Sequence, residues 1–172
     1  GFGSTVPSHF SPDYLRASRR FIRNLVSSLD TSPILFFETT VEPQYIGNQD
    51  LCFSAHGRHA YEAWLSRNNL DGPDWPGAFP ASDQFLKHPV WNRFRAEALA
   101  DWVNGDAAAF REGAGRDVWI AVDYLETGGP EMPRRNGDSR VFLRALDCAD
   151  IIQVNWHWHL GKRAPNLVAV SY

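Results

Sequence analysis

Three apolar segments of β-branched and aromatic residues, separated along the chain by helical segments, constrain the fold more than any other feature. The predicted strands are 34–42 (ILFFETTVE), 117–126 (DVWIAVDYLE) and 149–159 (ADIIQVNWHWH). Helical periodicity or capping residues predict helices over 11–29, 54–68, 83–113 and 139–148. Strands that alternate with helices indicate an α/β fold with a parallel sheet. The pattern alone fits both a closed (β/α) barrel and an open doubly wound sheet.

Composition and charge argue against several classes of binding partner. The 172 residues fit one domain, residues 1–172, or part of a larger one, and the net charge of −3 with a pI near 6.1 argues against a nucleic-acid partner. No apolar run reaches the roughly 18 residues of a membrane span, so we expect no membrane partner. Cys52 and Cys148 lie far apart without a CxxC motif, and no nucleotide-binding glycine motif follows a strand, so we expect neither a metal nor a cofactor.

The first strand carries two carboxylates, Glu38 within it and Glu42 at its exit. Simple alternation predicts that Glu38, Thr40 and Glu42 share one face of the sheet. A strand that only filled a core would need neither charge, which makes Glu42 the first candidate for a functional residue. We expect Glu38 to be a buried neighbour of Glu42 and not its catalytic partner, because four residues of strand separate them by roughly 13 Å.

The other two strands also end in polar and aromatic residues. Glu126 closes the second strand, opposite in alternation to Asp123. In the third strand, alternation places Asn155, His157 and His159 on one face and Trp156 and Trp158 on the other. Hydrogen-bonding side chains next to tryptophan rings are suited to sugar hydroxyls and sugar ring faces. We therefore predict that carbohydrate contacts come from Glu126, Asn155, Trp156, His157 and Trp158.

The segment TTVEPQY, residues 39–45, resembles the end of the fourth strand of clan-A retaining glycoside hydrolases, and in particular of family-42 β-galactosidases. The helix before it (11–29), the AYEAWL helix after it, the Pro/Trp-rich loop and the helix containing PVWNRFRAEALADWV repeat the arrangement of those enzymes. The resemblance runs from about Phe10 to Trp158 and covers strands four to six. One departure is Val41, where the family has an asparagine that bonds the sugar 2-hydroxyl.

The resemblance implies a TIM-barrel fold, here a partial barrel or a central segment of one, and the hydrolysis of β-glycosidic bonds by two carboxyl groups. It implies that Glu42 is the acid/base residue and places the nucleophile on a strand beyond Tyr172. The remaining part of the barrel would then be a partner, supplied by another segment or chain, and the isolated 172 residues would be nearly inert.

Two alternative functions stay open. A non-catalytic sugar-binding domain derived from a barrel would account for Val41 and for the missing nucleophile. A metal-dependent hydrolase could use His157 and His159, because two imidazoles two residues apart on a strand can converge on one cation. His56 and His59 are a further pair with helical spacing, which is more often a solvated face than a metal site. The sequence indicates no particular sugar and no cellular compartment.

Overall fold

The chain forms four helices and three strands within the residues that the structure describes. The structure is a computed structural model that describes residues 8–41, 43, 54–75, 88–126 and 137–156. At residues 41, 125–126 and 154–156 it describes the backbone alone. The elements in chain order are α1 (Pro12–Ser27), β1 (Phe36–Val41), α2 (Ala55–Asn68), α3 (Pro89–Ala114), β2 (Trp119–Glu126), α4 (Ser139–Ala145) and β3 (Ile151–Trp156). No helix among these residues is long and apolar enough to cross a bilayer.

Local sequence sets where the helices begin and end. The Ser11 hydroxyl accepts a hydrogen bond from the Tyr14 backbone N–H and caps α1, as the sequence predicts. The 26-residue α3 begins at Pro89, whose missing N–H is one that a first helical turn leaves unbonded anyway. It ends before Gly115, which has a left-handed φ of 63° that glycine adopts without strain.

The three strands form one parallel sheet in the order β1-β2-β3. Phe36 pairs with Trp119 in the first strand pair, and Ala121 pairs with Ile151 in the second. The sequence prediction of an α/β fold with these strands adjacent and parallel is confirmed.

The prediction of a TIM barrel, whole or partial, was wrong. The described strands make an open three-stranded sheet with β1 at one edge and β3 at the other, and it does not close. The error has a simple physical reason, since βα alternation determines only that strands run parallel, whereas closure depends on strand number and stagger. The chain is a small open α/β domain over the described residues.

The described helices cover one face of the sheet. Phe37 of β1 packs against Phe110 of α3 with ring centroids 5.0 Å apart, and Tyr124 of β2 stacks on Phe142 of α4 at 5.6 Å. At the amino-terminal end of α3, a cluster of aromatic rings joins α2 to α3. Its members are Tyr61, Trp64, Trp75, Trp91 and Phe94. Two of the described tryptophans, Trp64 and Trp91, therefore lie in the core, and Trp75 packs against it.

The opposite face of the sheet, which we call the open face, carries exposed side chains at its amino end. Trp119 is 61% exposed, its register partner Phe36 is 46% exposed, and Glu38 is also exposed. Phe37 follows Phe36 and Ile120 follows Trp119, and both of them face the helices. The two sets of side chains differ in exposure because successive side chains of a strand point to opposite faces of the sheet.

Helix α1 packs closely on α3 through two glycines. A Cβ at Gly105 would overlap the guanidinium group of Arg19, whereas a Cβ at Gly113 would lie 2.8 Å from the backbone oxygen of Arg23 and 2.9 Å from Cβ of Val26. The absence of a side chain at these positions lets the two helices approach each other.

Two arginines bind the turns at the amino-terminal edge of the sheet. Arg116 donates from Nη2 to the backbone oxygens of Thr31, at 2.6 Å, and Ile34, at 2.8 Å. Arg111 donates to the backbone oxygens of Val118 and Cys148, both at 3.3 Å. These bonds connect the segment before β1 and the turns before β2 and β3 to the end of α3.

Candidate functional site

Parallel pairing brings the ends of all three strands to one side of the sheet, which we call the carboxyl edge. β1 ends at Val41, which is level with Asp123 of β2 and, through it, with Gln153 of β3. β2 and β3 continue for three more residues to Glu126 and Trp156, which pair with each other. The edge is therefore stepped, with the end of β1 lower than its two neighbours. Open α/β sheets bind their ligands outside the carboxyl ends of their strands, usually where the strand order reverses. The order β1-β2-β3 of the described strands has the carboxyl ends together but contains no such reversal.

A β-bulge lies at the end of β1. Glu38 pairs with Ala121 and Val41 pairs with Asp123, so three steps along β1 match two steps along β2. Simple alternation does not hold across the extra residue, and the prediction that Glu38, Thr40 and Glu42 share one face loses its basis. Bulges are over-represented beside active sites, where they turn a side chain away from the direction that a regular strand would give it.

The bulge contains Thr39 and Thr40, whose hydroxyl oxygens are both buried. Neither oxygen has a hydrogen-bond partner among the residues described. Burying a hydroxyl without a hydrogen bond costs free energy, so folded proteins seldom leave one in that state. The two threonines of the bulge are therefore unusual, because their buried hydroxyl groups lack hydrogen bonds within the described residues.

The structure describes the predicted site residues to different extents. Glu42, His157 and Trp158 lie outside the described residues, although Glu42 stands in the chain between the last residue of β1 and the buried Pro43. Glu126, Asn155 and Trp156 are placed by their backbones. The register sets Glu126 beside Trp156 and Leu125 beside Asn155, so these predicted residues do come together at the carboxyl edge.

The prediction that Glu38 is buried was wrong. Its side chain is exposed on the open face, level with Ala121. The sequence reasoning assumed that a closed barrel would surround this face. In the open sheet, the described helices lie on the other side, and a solvated carboxylate here needs no buried partner.

Two buried charges, one in α3 and one in β2, were not predicted as site residues. Arg95 of α3 is completely buried, and Asp123 of β2, at the level where β1 ends, is 4% exposed. Each of them takes part in a polar or electrostatic interaction. Arginine in a helix usually lies on the solvated face, so nothing in the sequence distinguished Arg95 from the other helical arginines. Asp123 did stand out as a strand residue, but Glu126 was preferred because it lies farther out.

The histidines of α2 belong to no metal-binding group among the described residues. His56 and His59 are both exposed, as expected of a solvated face. Across the described ranges, no group of three or more His, Cys, Asp or Glu side chains is arranged to hold a metal ion. The pair His157 and His159 lies outside those ranges, so the metal-site hypothesis for them stays a prediction.

Comparisons with models of known protein families and with curated protein sequences find no match to this chain. The resemblance to clan-A glycoside hydrolases consequently rests on the residues of the TTVEPQY segment and on the order of the elements around it.

Proposed function

We propose that the carboxyl edge forms the acid/base side of a glycoside hydrolase site, with Glu42 as the proton donor. The observation that carries this proposal is the bulge in β1 directly before Glu42. A bulge bends its strand and changes the direction of a nearby side chain, and bulges are over-represented next to active sites. Glu42 also follows a strand whose carboxyl end lies on the ligand-binding edge of an open α/β sheet.

The stepped shape of the carboxyl edge supports a sugar-binding role for the predicted residues at the ends of β2 and β3. Glu126, Asn155 and Trp156 end strands that extend three residues past the level of Val41, and His157 and Trp158 follow next in the chain. They would form one side of a cleft above the end of β1. Amide, imidazole and carboxylate groups there would bond sugar hydroxyls, and the indole rings would contact the apolar face of a sugar ring.

The proposed chemistry needs a proton at the glycosidic oxygen and a second carboxyl group. In a retaining enzyme that second carboxylate lies about 5 Å from the acid and attacks the anomeric carbon. Glu38 does not meet this requirement, because its backbone is level with Ala121, below the end of β1. The second carboxyl group would therefore have to come from outside β1.

Covalent labelling tests the position of Glu42 without requiring turnover. An N-bromoacetyl β-glycosylamine would bind as a substrate does, and the Glu42 carboxylate would displace bromide to form an ester. Peptide mapping by mass spectrometry should find one adduct, on the peptide that contains Glu42, and excess free sugar should prevent it. The adduct should disappear in Glu42→Gln and persist in Glu38→Gln, a matched change on the same strand.

Kinetics of the active protein provide the second test. Glu42→Gln should slow the hydrolysis of a glycoside with a poor leaving group far more than that of an activated aryl glycoside, because only the former needs the proton. Equal losses on both substrates would contradict the acid role.

Three results would replace the proposal. Equal labelling of Glu38 and Glu42 would mean that no site directs the reagent. Saturable sugar binding without an adduct at Glu42 would indicate the non-catalytic sugar-binding domain. Hydrolysis that needs added zinc and is lost in His157→Ala would indicate the metal-dependent alternative.

A further inference from the structure

A depression of the surface lies beside α2 and is lined by none of the residues of the carboxyl edge. It has a volume of about 240 Å³ and lies between the helix and the segment 71–75. We call it the α2 pocket. Its polar and aromatic side chains are Arg58, Tyr61, Glu62, Asp74 and Trp75, and Leu65 and Pro73 add apolar surface.

The walls of the α2 pocket are held by the core. The Tyr61 hydroxyl donates a 2.9 Å hydrogen bond to the backbone oxygen of Pro73, which ties the loop to the helix. A Cβ at Gly72 would overlap that hydroxyl, so the loop lies directly against it. The Trp75 ring packs on Tyr61 and on Trp91 of α3, with centroids 5.8 and 5.5 Å apart. A pocket fixed in this way needs little ordering when a ligand enters.

The polar groups of the pocket supply donors and acceptors side by side. Arg58 Nε bonds Glu62 Oε1 at 2.7 Å, and both side chains remain about half exposed, at 61% and 49%. Asp74 is also exposed at the rim. Burial, followed by the charge of Asp74, raises the pKa of Tyr61 to about 12, so the phenol keeps its proton and its bond to Pro73 at neutral pH.

This combination selects among ligand classes. Two carboxylates oppose an anion, and three charged side chains oppose a wholly apolar ligand. A sugar ring satisfies the pocket, because its hydroxyls accept from Arg58 and donate to Glu62 and Asp74 while its C–H face can contact Trp75. The volume is below the roughly 300–1,000 Å³ of sites for drug-sized ligands, which suits a single ring.

We infer that the α2 pocket binds one sugar residue. This inference goes beyond the proposed function, because the pocket uses none of the residues of the carboxyl edge. It gives the chain a second carbohydrate contact on a different element from the first.

The test uses methyl β-glycosides of glucose, galactose, mannose and xylose, titrated into the isotope-labelled protein and followed by amide chemical shifts. At least one sugar should shift the amides of 58–75 in a saturable manner. Arg58→Ala and the double variant Glu62→Ala/Asp74→Ala should each weaken that binding at least fivefold. The control is Glu112→Ala, which removes a comparable exposed carboxylate of α3 that pairs with Arg23 of α1 at 3.0 Å. It should leave the affinity for the sugar unchanged.

Each other outcome overturns the inference. Absence of saturable shifts at 58–75 with all four sugars would exclude a sugar site. Shifts caused by tetramethylammonium but by no sugar would identify the pocket as a cation site made by aromatic rings and Asp74. Loss of the shifts in Glu42→Gln would assign the binding to the carboxyl edge. Labelling of Glu42 in the Glu62→Ala/Asp74→Ala variant tests the proposed function separately.

Discussion

Arg111 in the last turn of α3 and Asp150 directly before β3 form a 2.9 Å ion pair between residues 39 positions apart. The same Asp150 oxygen accepts a 2.8 Å hydrogen bond from the backbone N–H of Ile120 in β2. One carboxylate thus connects a helix end, the central strand and the entrance to the third strand.

Asp150→Ala should therefore lower the free energy of unfolding by about 1–3 kcal/mol, because it leaves the Ile120 N–H without its acceptor and removes the nearer of the two carboxylates that pair with Arg111, the other being Asp117 at 3.5 Å. Asp150→Asn should cost less, since an amide oxygen still accepts from Ile120. Urea denaturation of the three proteins gives the comparison. Similar stabilities for the alanine and asparagine variants would contradict the role of the hydrogen bond.

The two glycines under α1 should respond differently to alanine. Gly113→Ala places a Cβ against backbone atoms of α1, so the helices must separate, and we expect a net loss of about 1–3 kcal/mol. Gly105→Ala meets only the flexible end of Arg19, and the gain in helix propensity of roughly 1 kcal/mol should offset most of the displacement. Thermal or urea unfolding measures both. A larger loss of unfolding free energy in Gly105→Ala than in Gly113→Ala would contradict this prediction.

Asp106 should make stability depend on pH. Burial raises the pKa of this carboxyl above its ordinary value of 3.8, against the opposing effect of Arg19. The folded state therefore holds the proton more tightly than the unfolded state, and stability falls as the pH rises through the range above 3.8. Asp106→Asn should be more stable than the parent at pH 7, and the gain should shrink as the pH falls toward 3.8. A gain that does not change with pH would exclude titration as its cause.

Cys148 should be nearly unreactive while the chain is folded. Burial raises the pKa of its thiol to about 11, and the side chain is 6% exposed. In a Cys52→Ser background at pH 8, iodoacetamide should modify native Cys148 at least about a hundredfold more slowly than the urea-unfolded protein, because the thiolate is the reacting form. Mass spectrometry follows the rate. Fast modification of the folded protein would mean that the strand entrance opens readily.

The sequence predicted the elements and their parallel order because the local signals were strong. The predicted strand 117–126 is found as Trp119–Glu126, and the predicted helix 11–29 as Pro12–Ser27. The long helix was predicted over 83–113 and begins at Pro89, where the fixed φ of proline favours a first turn. These features depend on periodicity and on capping residues, which act over a few positions.

The bulge in β1 and the openness of the sheet were not predictable in the same way. Thr39 and Thr40 are both β-branched and fit a regular strand, and no glycine marks the extra residue. Openness depends on how many strands pair and with what stagger, which no local pattern records. The wrong prediction that Glu38 is buried follows from the openness of the sheet, because the bulge begins only after Glu38. The candidate site was predicted only in part, since the meeting of Glu126, Asn155 and Trp156 at one edge follows from parallel pairing, while the burial of Arg95 depends on tertiary packing.

The bonds of Arg111 and Arg116 have a consequence for how this domain tolerates sequence change. Most of their acceptors are main-chain oxygens, and all twenty amino acids provide that atom. The donors, in contrast, must be guanidinium groups of the right length. A comprehensive substitution scan should therefore record sharp intolerance at the two arginines and a permissive profile at the positions that receive their bonds, where the side chain is irrelevant to the contact. The permissive acceptor positions should be Thr31 and Ile34, whereas Val118 and Cys148 are buried in the core, where packing restricts the side chain.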